Sequence, residues 1–308
     1  MTAIDAFPGD VITVRDRPVV PPVEPPPVDP PATDPRLPSS NAIIVPAGQW
    51  LAAVRDAKNG DELAMPPGVS VFTGDVTTAI AAKSISIVPQ ASALLPMNAD
   101  GTYPTGSLAV LEAQGASFYW YASGSGAGKL SLRDVSLRAN TPGQAGEHGS
   151  ALLAPMSGLA EVLLRRVAVI GDKDMQSGQQ LVYVAPHAVG SASGGSIGSV
   201  LIEDCSLNGQ GTSGFGLQVY GPGTVSSIVV RRTNVRNFPT RPGLMAWTTI
   251  QSYLVDDCDF SAVVNIFRNE TATPTRIQNC RGTYLSAKFS GANASKIVES
   301  GNSFAKAA

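Results

Sequence analysis

Histidine, cysteine, aromatic residues and charge are all scarce in this 308-residue sequence, and each scarcity excludes something. Two histidines and three cysteines leave few soft ligands. No Cys-x-x-Cys pair is present, which argues against a structural zinc site. Charged residues make up 15% and the formal net charge is −2, so there is no basic field for nucleic acid. No apolar run approaches the ~20 residues of a membrane-spanning helix. The opening MTAIDAFPGDVITVRDR lacks the basic-then-apolar layout of a signal peptide, so export by that route is not expected. The glycine-rich run before Lys129 is not a phosphate loop. Ser123 stands where its first glycine is needed, and Leu130 stands where Ser or Thr should follow the lysine. No cofactor is implied.

Glycine (31) and proline (24) are abundant, which suits many short strands joined by tight turns. A nine-residue phrase recurs: KLSLRDVSL at 129–137, EVLLRRVAV at 161–169, SVLIEDCSL at 199–207, SIVVRRTNV at 227–235, SYLVDDCDF at 252–260, PTRIQNCRG at 274–282 and SKIVESGNS at 295–303. Its fourth position is always aliphatic: Leu132, Leu164, Ile202, Val230, Val255, Ile277 and Val298. Successive copies are 32, 38, 28, 25, 22 and 21 residues apart. Alternation within the phrase is strand periodicity, and repeats of this length mean a solenoid whose units bury their apolar faces against one another. Ser84–Val88 and Ser107–Leu111 read as two earlier copies, making about nine coils, ~40 Å of stacked strands.

The repeated endings Arg133-Asp134-Val135, Glu203-Asp204-Cys205, Asp256-Asp257-Cys258 and Gln278-Asn279-Cys280 resemble those of the pectate-lyase-like and phage-tailspike-like proteins. The resemblance spans Asn41 to the end. It implies an all-β, single-stranded right-handed parallel β-helix, an architecture shared by lyases, hydrolases and non-catalytic adhesins. It also implies that copies of the chain associate side by side, as a homotrimer. In such a stack the seventh position (Val135, Val167, Cys205, Thr233, Cys258, Cys280, Gly301) should form an inward ladder of small side chains. The thiols should be free, because stacked Cβ atoms ~4.8 Å apart exceed disulfide reach. A serine at Cys258 is expected to bury a hydroxyl without a partner. The sixth position (Asp134, Arg166, Asp204, Arg232, Asp257) alternates in sign and reads as an outward, register-fixing charge ladder.

Three segments follow in order. Residues 1–17 hold one short strand candidate, Val11-Ile12-Thr13-Val14, expected to attach the protein to other particle components by adding to a sheet edge. Residues 18–40 are a proline-rich spacer, extended at ~3.1 Å per residue. Residues 41–308 form the β-helix domain. Trp50, Leu51, Val54 and Ala57 lie on one face of a helix ending before Gly60, and this helix should plug the first coil. Asp61–Val69 then resembles the family's opening passage.

A second strand per coil is expected at 118–121, 151–154, 180–184, 215–220, 244–248, 263–267 and 284–289. Their outward positions carry almost no acids. The grouped acids Asp172/Asp174 and Asp256/Asp257/Asp259 lack a converging third ligand or partner coil, so no catalytic or metal residues are assigned. Glu147-His148 and His187 read as solvated loop residues, and Asn269 and Asn293 fall in glycosylation-type triplets that carry little weight without a signal peptide. What remains is an aromatic and amide set on consecutive second strands: Tyr183, Gln218, Tyr220, Trp247, Asn265 and Phe267. Flat aromatics beside amides suit sugar rings, so a cell-surface polysaccharide is the expected ligand. Attachment peptide, spacer, shaft and glycan face together suggest a virion protein of a phage or phage-like particle, a spike, fibre or decoration. The alternative is a polysaccharide lyase or glycoside hydrolase of the same architecture.

Overall fold

The computed structural model describes residues 36–79, 83–99, 103–123, 128–140, 151–172, 179–187, 193–211 and 214–307, with backbone alone at 73–79 and 115–123. The strand at Val11–Val14, the proline spacer up to Pro35 and Glu147-His148 lie outside the described residues. From Arg36 onward the chain is one compact unit, an all-β parallel solenoid in which every ladder between strands is parallel.

The nine-residue phrase is two strands and a corner. Its first five residues lie in a ten-stranded sheet that begins at Ile43–Ile44 and Glu62–Met65, continues through the phrases and ends at Ile297–Ser300. Ten strands therefore stand where about nine coils were expected. The second and fourth positions point inward: Val162, Val200 and Ile228 are fully buried, as are Leu164, Ile202 and Val230. The first, third and fifth positions point outward.

The sixth position corrects the outward-strand expectation. Asp134, Arg166, Asp204, Arg232, Asp257 and Asn279, together with Gly301 of the last copy, which is shifted by one residue, all have positive φ, between 47° and 64°. Each turns the chain from the first sheet into the second. Non-glycine residues resist this left-handed conformation by roughly 1–2 kcal/mol. The stack offsets that cost, because each corner N–H donates to the fifth-position carbonyl of the next coil. Examples are Arg166 to Glu203 (3.0 Å), Arg232 to Asp256 (3.0 Å) and Asn279 to Ser300 (2.9 Å). Two of the four neighbouring opposite-charge couples at the corner form ion pairs. Arg166 holds Asp134 at 2.6 and 2.8 Å, and Arg232 holds Asp204 at 2.7 Å.

After the corner come short strands such as Ala168–Ile170, Ser206–Asn208 and Asn234–Phe238, and then a third set, Ala151–Pro155, Gln180–Val184, Phe215–Val219, Leu244–Ala246, Phe267–Asn269 and Phe289–Ser290. The long strand Ala109–Ser123 joins the two sets, pairing with Ser136–Asn140 through its first half and Ala151–Pro155 through its second. Ser107–Leu111 is thus not a copy of the repeated phrase but the entrance to this second face. The expected strand at 263–267 divides between the end of Asp259–Val263 and the start of Phe267–Asn269.

The last copy is shifted by one residue. Ile277 pairs with Glu299, not Val298, so Val298 points outward and is 54% exposed. Asn302 rather than Gly301 then occupies the seventh column, and its side chain accepts the Cys280 N–H at 2.9 Å. The seventh position is otherwise as expected: Cys205, Cys258 and Cys280 are free and buried. Serine would not lack a partner, however. Each thiol points at the carbonyl two residues earlier, as in Cys258 Sγ to Asp256 O (3.3 Å), and the Thr233 hydroxyl donates to Arg231 O in the same way at 2.9 Å.

The helix Trp50–Asp56 buries Trp50 and Val54 against the first coil and covers the end of the core. Among the described residues no helix is long and apolar enough to cross a membrane.

Candidate functional site

The third set of strands carries the candidate residues. Strand register places Tyr183 beside Gln218, Met245 and Arg268, and Val184 beside Val219, Ala246 and Asn269. The next position along is Tyr220 and then Trp247, whose N–H groups donate to Val184 O (3.1 Å) and Val219 O (2.8 Å). Ala246 is fully buried, so Trp247 points outward, with 49% of its surface exposed. Tyr183 stacks on Tyr220 with ring centroids 6.5 Å apart, and Tyr220 meets Trp247 edge-on at 5.5 Å. Three successive coils thus build one aromatic ridge.

The other three expected site residues are not on it. Phe267 is fully buried and packs edge-on against Tyr253 at 5.0 Å, so it belongs to the core. It sits one position from the outward parity of its strand, where Arg268 stands instead. Gln218 is largely buried; its side chain accepts from Gln180 Nε2 at 2.7 Å and donates to Met245 Sδ at 3.8 Å. Asn265 braces neighbouring coils, donating to Ala287 O at 2.7 Å and accepting from the Ser290 hydroxyl at 3.2 Å.

Three further residues flank the ridge: Arg268 and Glu270, which the sequence did not mark as site residues, and His187, which it marked as a solvated loop residue. The Arg268 guanidinium lies 5.6 Å from the Trp247 ring centroid, and its Nε donates to Glu270 at 2.8 Å. Glu270 also accepts the Ala292 N–H at 2.8 Å. That bond, opposed by partial burial and helped by Arg268, holds the Glu270 carboxyl below its usual range. His187 is not a solvated loop residue. It is partly buried, meets Tyr183 edge-on at 6.3 Å, and burial lowers its pKa. Its ring fits because Gly221, at φ +115°, has no Cβ; one placed there would lie 2.3 Å from His187 Nδ1. No local pattern around His187 announces this, since the contact depends on a glycine one coil away.

Elsewhere the two buried glutamates, Glu203 and Glu112, are committed to arginines. Glu203 is almost fully buried and bound by Arg165 (2.6 Å), Arg231 (2.5 Å) and Arg232. Its burial would raise its pKa, but these partners outweigh that and keep it below the ordinary carboxylate value. Glu112 is governed in the same way: burial is opposed by Gln114, Asn140 and Arg138, and the net shift is downward. Among the described residues no group of three or more His, Cys, Asp or Glu is placed to hold a metal ion. Both glycosylation-type asparagines serve the fold. Asn269 is fully buried, accepting from Thr271 N and donating to Asn293 O, and Asn293 donates to Glu270 O. Neither a known protein family nor a curated protein matches the chain.

Proposed function

We propose that this protein is a structural component of a phage or phage-like particle, a spike, fibre or decoration, whose β-helix shaft presents a carbohydrate-binding ridge. The observation that carries the reading is the exposed Trp247 in one column with Tyr220, on which Tyr183 stacks from the preceding hydrogen-bonded coil. Aromatic rings on a rigid sheet offer apolar area with little entropy left to lose. Neighbouring rings on successive coils suit successive sugar residues, and Arg268 and Glu270 supply polar edges. A binding role also fits the chemistry of the carboxylates. Glycoside hydrolysis needs an acid whose pKa lies near the working pH, whereas the carboxyl beside the ridge, Glu270, is held below its usual range by the Ala292 N–H and Arg268.

The test is binding of the full chain to a panel of neutral and acidic cell-surface polysaccharides, with Trp247→Ala as control. Trp247 is half exposed, so the variant should melt as the parent does while affinity falls about tenfold or more, the loss of one stacked ring at ~1.5 kcal/mol. Absence of binding across the panel, or undiminished binding by the variant, rejects the ridge. Release of new reducing ends or unsaturated uronates would instead assign the protein to the lyases or hydrolases of this architecture.

A further inference from the structure

The outer face of the ten-stranded sheet carries a feature that glycan binding does not use. Its third-position column is aliphatic through four successive coils, Leu163, Leu201, Val229 and Leu254, each half-buried and pointing outward. Serines predominate on one side of this stripe, and the ion pairs of Arg165, Glu203 and Arg231 on the other. The two ends of the same column differ. Towards the first coils, beyond Leu163, it becomes Ser131 and Ser86, which floor a groove of about 200 Å³ bordered by Asp61, Glu161 and Lys129, the last ion-paired with Glu161 at 3.1 Å. Towards the last coils, beyond Leu254, it becomes the exposed Arg276 and the protruding, 54% exposed Val298.

We propose that this face packs against the same face of a second copy of the chain, antiparallel, about a two-fold axis between Leu201 and Val229. That one operation brings Leu201 against the partner's Val229 and Leu163 against the partner's Leu254, sealing the stripe. It sets Val298 opposite Ser86, a protrusion into the groove, and Arg276 opposite Ser131, in a groove where the two carboxylates of Asp61 and Glu161 outnumber the single ammonium of Lys129. A two-fold interface must be self-complementary, and a column that is hollow and net negative by one charge at one end, and exposes Val298 and Arg276 at the other, is complementary to itself only when reversed. The size is adequate. The eight strands from Ser84–Pro89 to Ile297–Ser300 overlap about this axis; at ~4.8 Å each and five residues at ~3.3 Å they give roughly 630 Å² in plan, at the lower end of the ~600–1,000 Å² per partner of a stable interface. The Arg36 ends of such a pair lie at opposite ends of the shaft, so a pair attached through both N-terminal segments would bridge two attachment points.

The test is independent of the glycan reading. Single variants Ser86→Cys and Val298→Cys of the full chain are oxidised mildly, separately and mixed. The native thiols are buried, so only the introduced ones should react. A disulfide-linked pair should form in the mixture and in neither variant alone. In parallel, sedimentation should give a dimer for the native chain and at least tenfold weaker association for Leu201→Arg, with unchanged circular dichroism, because that side chain points to solvent. A monomer at all concentrations, an unaffected Leu201→Arg dimer, or crosslinking of Val298→Cys to itself, as a parallel side-by-side assembly would give, overturns the proposal. Association through another surface or with glycan alone would leave the mixture unlinked and overturns it equally.

Discussion

At the scale of single residues, the seventh column decides what kind of interior this is. A column of inward Val, Cys and Thr would be only a filler of small volumes if its side chains made no directed contacts. They do make them. The Cys258 N–H donates to Cys280 Sγ at 3.4 Å, the Cys205 N–H to Thr233 Oγ1 at 3.3 Å and the Cys280 N–H to Asn302 Oδ1 at 2.9 Å. Each of these side chains therefore satisfies a backbone donor of the coil before it, just where the corner interrupts the ladder. The Cys258 thiol is pushed well up, first by its contact with Cys280 and then by burial, and stays a neutral donor. Cys280→Ala should cost about 1–3 kcal/mol, because it strands the buried Cys258 N–H, whereas Cys280→Ser keeps an acceptor and should cost less than about 1 kcal/mol. Urea denaturation of the two variants checks this. Equal costs would mean that the column only fills space.

At the scale of elements, the charged positions next to the corner act as a clasp between coils. Glu203 draws three guanidinium groups from the coils on either side, and its folded pKa is depressed. Such a group stabilises the fold fully above its unfolded value, about 4.3, and that contribution is lost as pH falls through the lower folded value. Glu203→Gln should therefore cost about 2 kcal/mol at pH 7, the order of hydrogen bonds to a charged group. The gap to the native protein should narrow below about pH 4. Chemical denaturation at pH 7 and pH 3 measures both, and a pH-independent gap would show that the arginines do not depend on the charge. The same strands show what a sequence of this kind can disclose. The fourth position was legible because stacking forces one inward aliphatic residue per coil at a fixed place in the phrase. The corner was not, because its left-handed residues are Asp, Arg and Asn in six coils and the glycine that would have marked it appears only as Gly301. The slip at Val298 followed from that, since two adjacent aliphatics, Ile297 and Val298, fit the pattern equally well. The ridge was half legible. Tyr183, Tyr220 and Trp247 could be placed on consecutive coils, but Phe267 and Arg268 exchange roles with one residue of parity, and His187 reaches Tyr183 only through space left by Gly221.

At the scale of the whole molecule, the shaft and whatever precedes it can be separated at a definite bond. Arg36 already belongs to the solenoid: its guanidinium donates to Leu95 O at 2.8 Å and lies 4.5 Å over the Tyr103 ring. The Ser39 N–H likewise donates to Glu62 at 2.6 Å. A deletion through Pro35 leaves all three contacts and the Trp50 plug intact, so residues 36–308 should fold with unchanged circular dichroism and melting temperature. A deletion through Pro38 removes the Arg36 anchor and should cost about 1–2 kcal/mol, an amount set by one charge-assisted hydrogen bond and one cation–π contact. These two deletions make the attachment reading testable without confusing it with unfolding. If residues 1–17 attach the shaft to a particle, the 36–308 protein should remain in solution when mixed with particles lacking this component, while the full chain sediments with them. Residues 1–35 fused to an unrelated soluble domain should then carry that domain onto the particles. Binding by the shorter protein would move the attachment site onto the shaft itself, and failure of the fusion to bind would leave the first 35 residues without the role that the virion reading gives them.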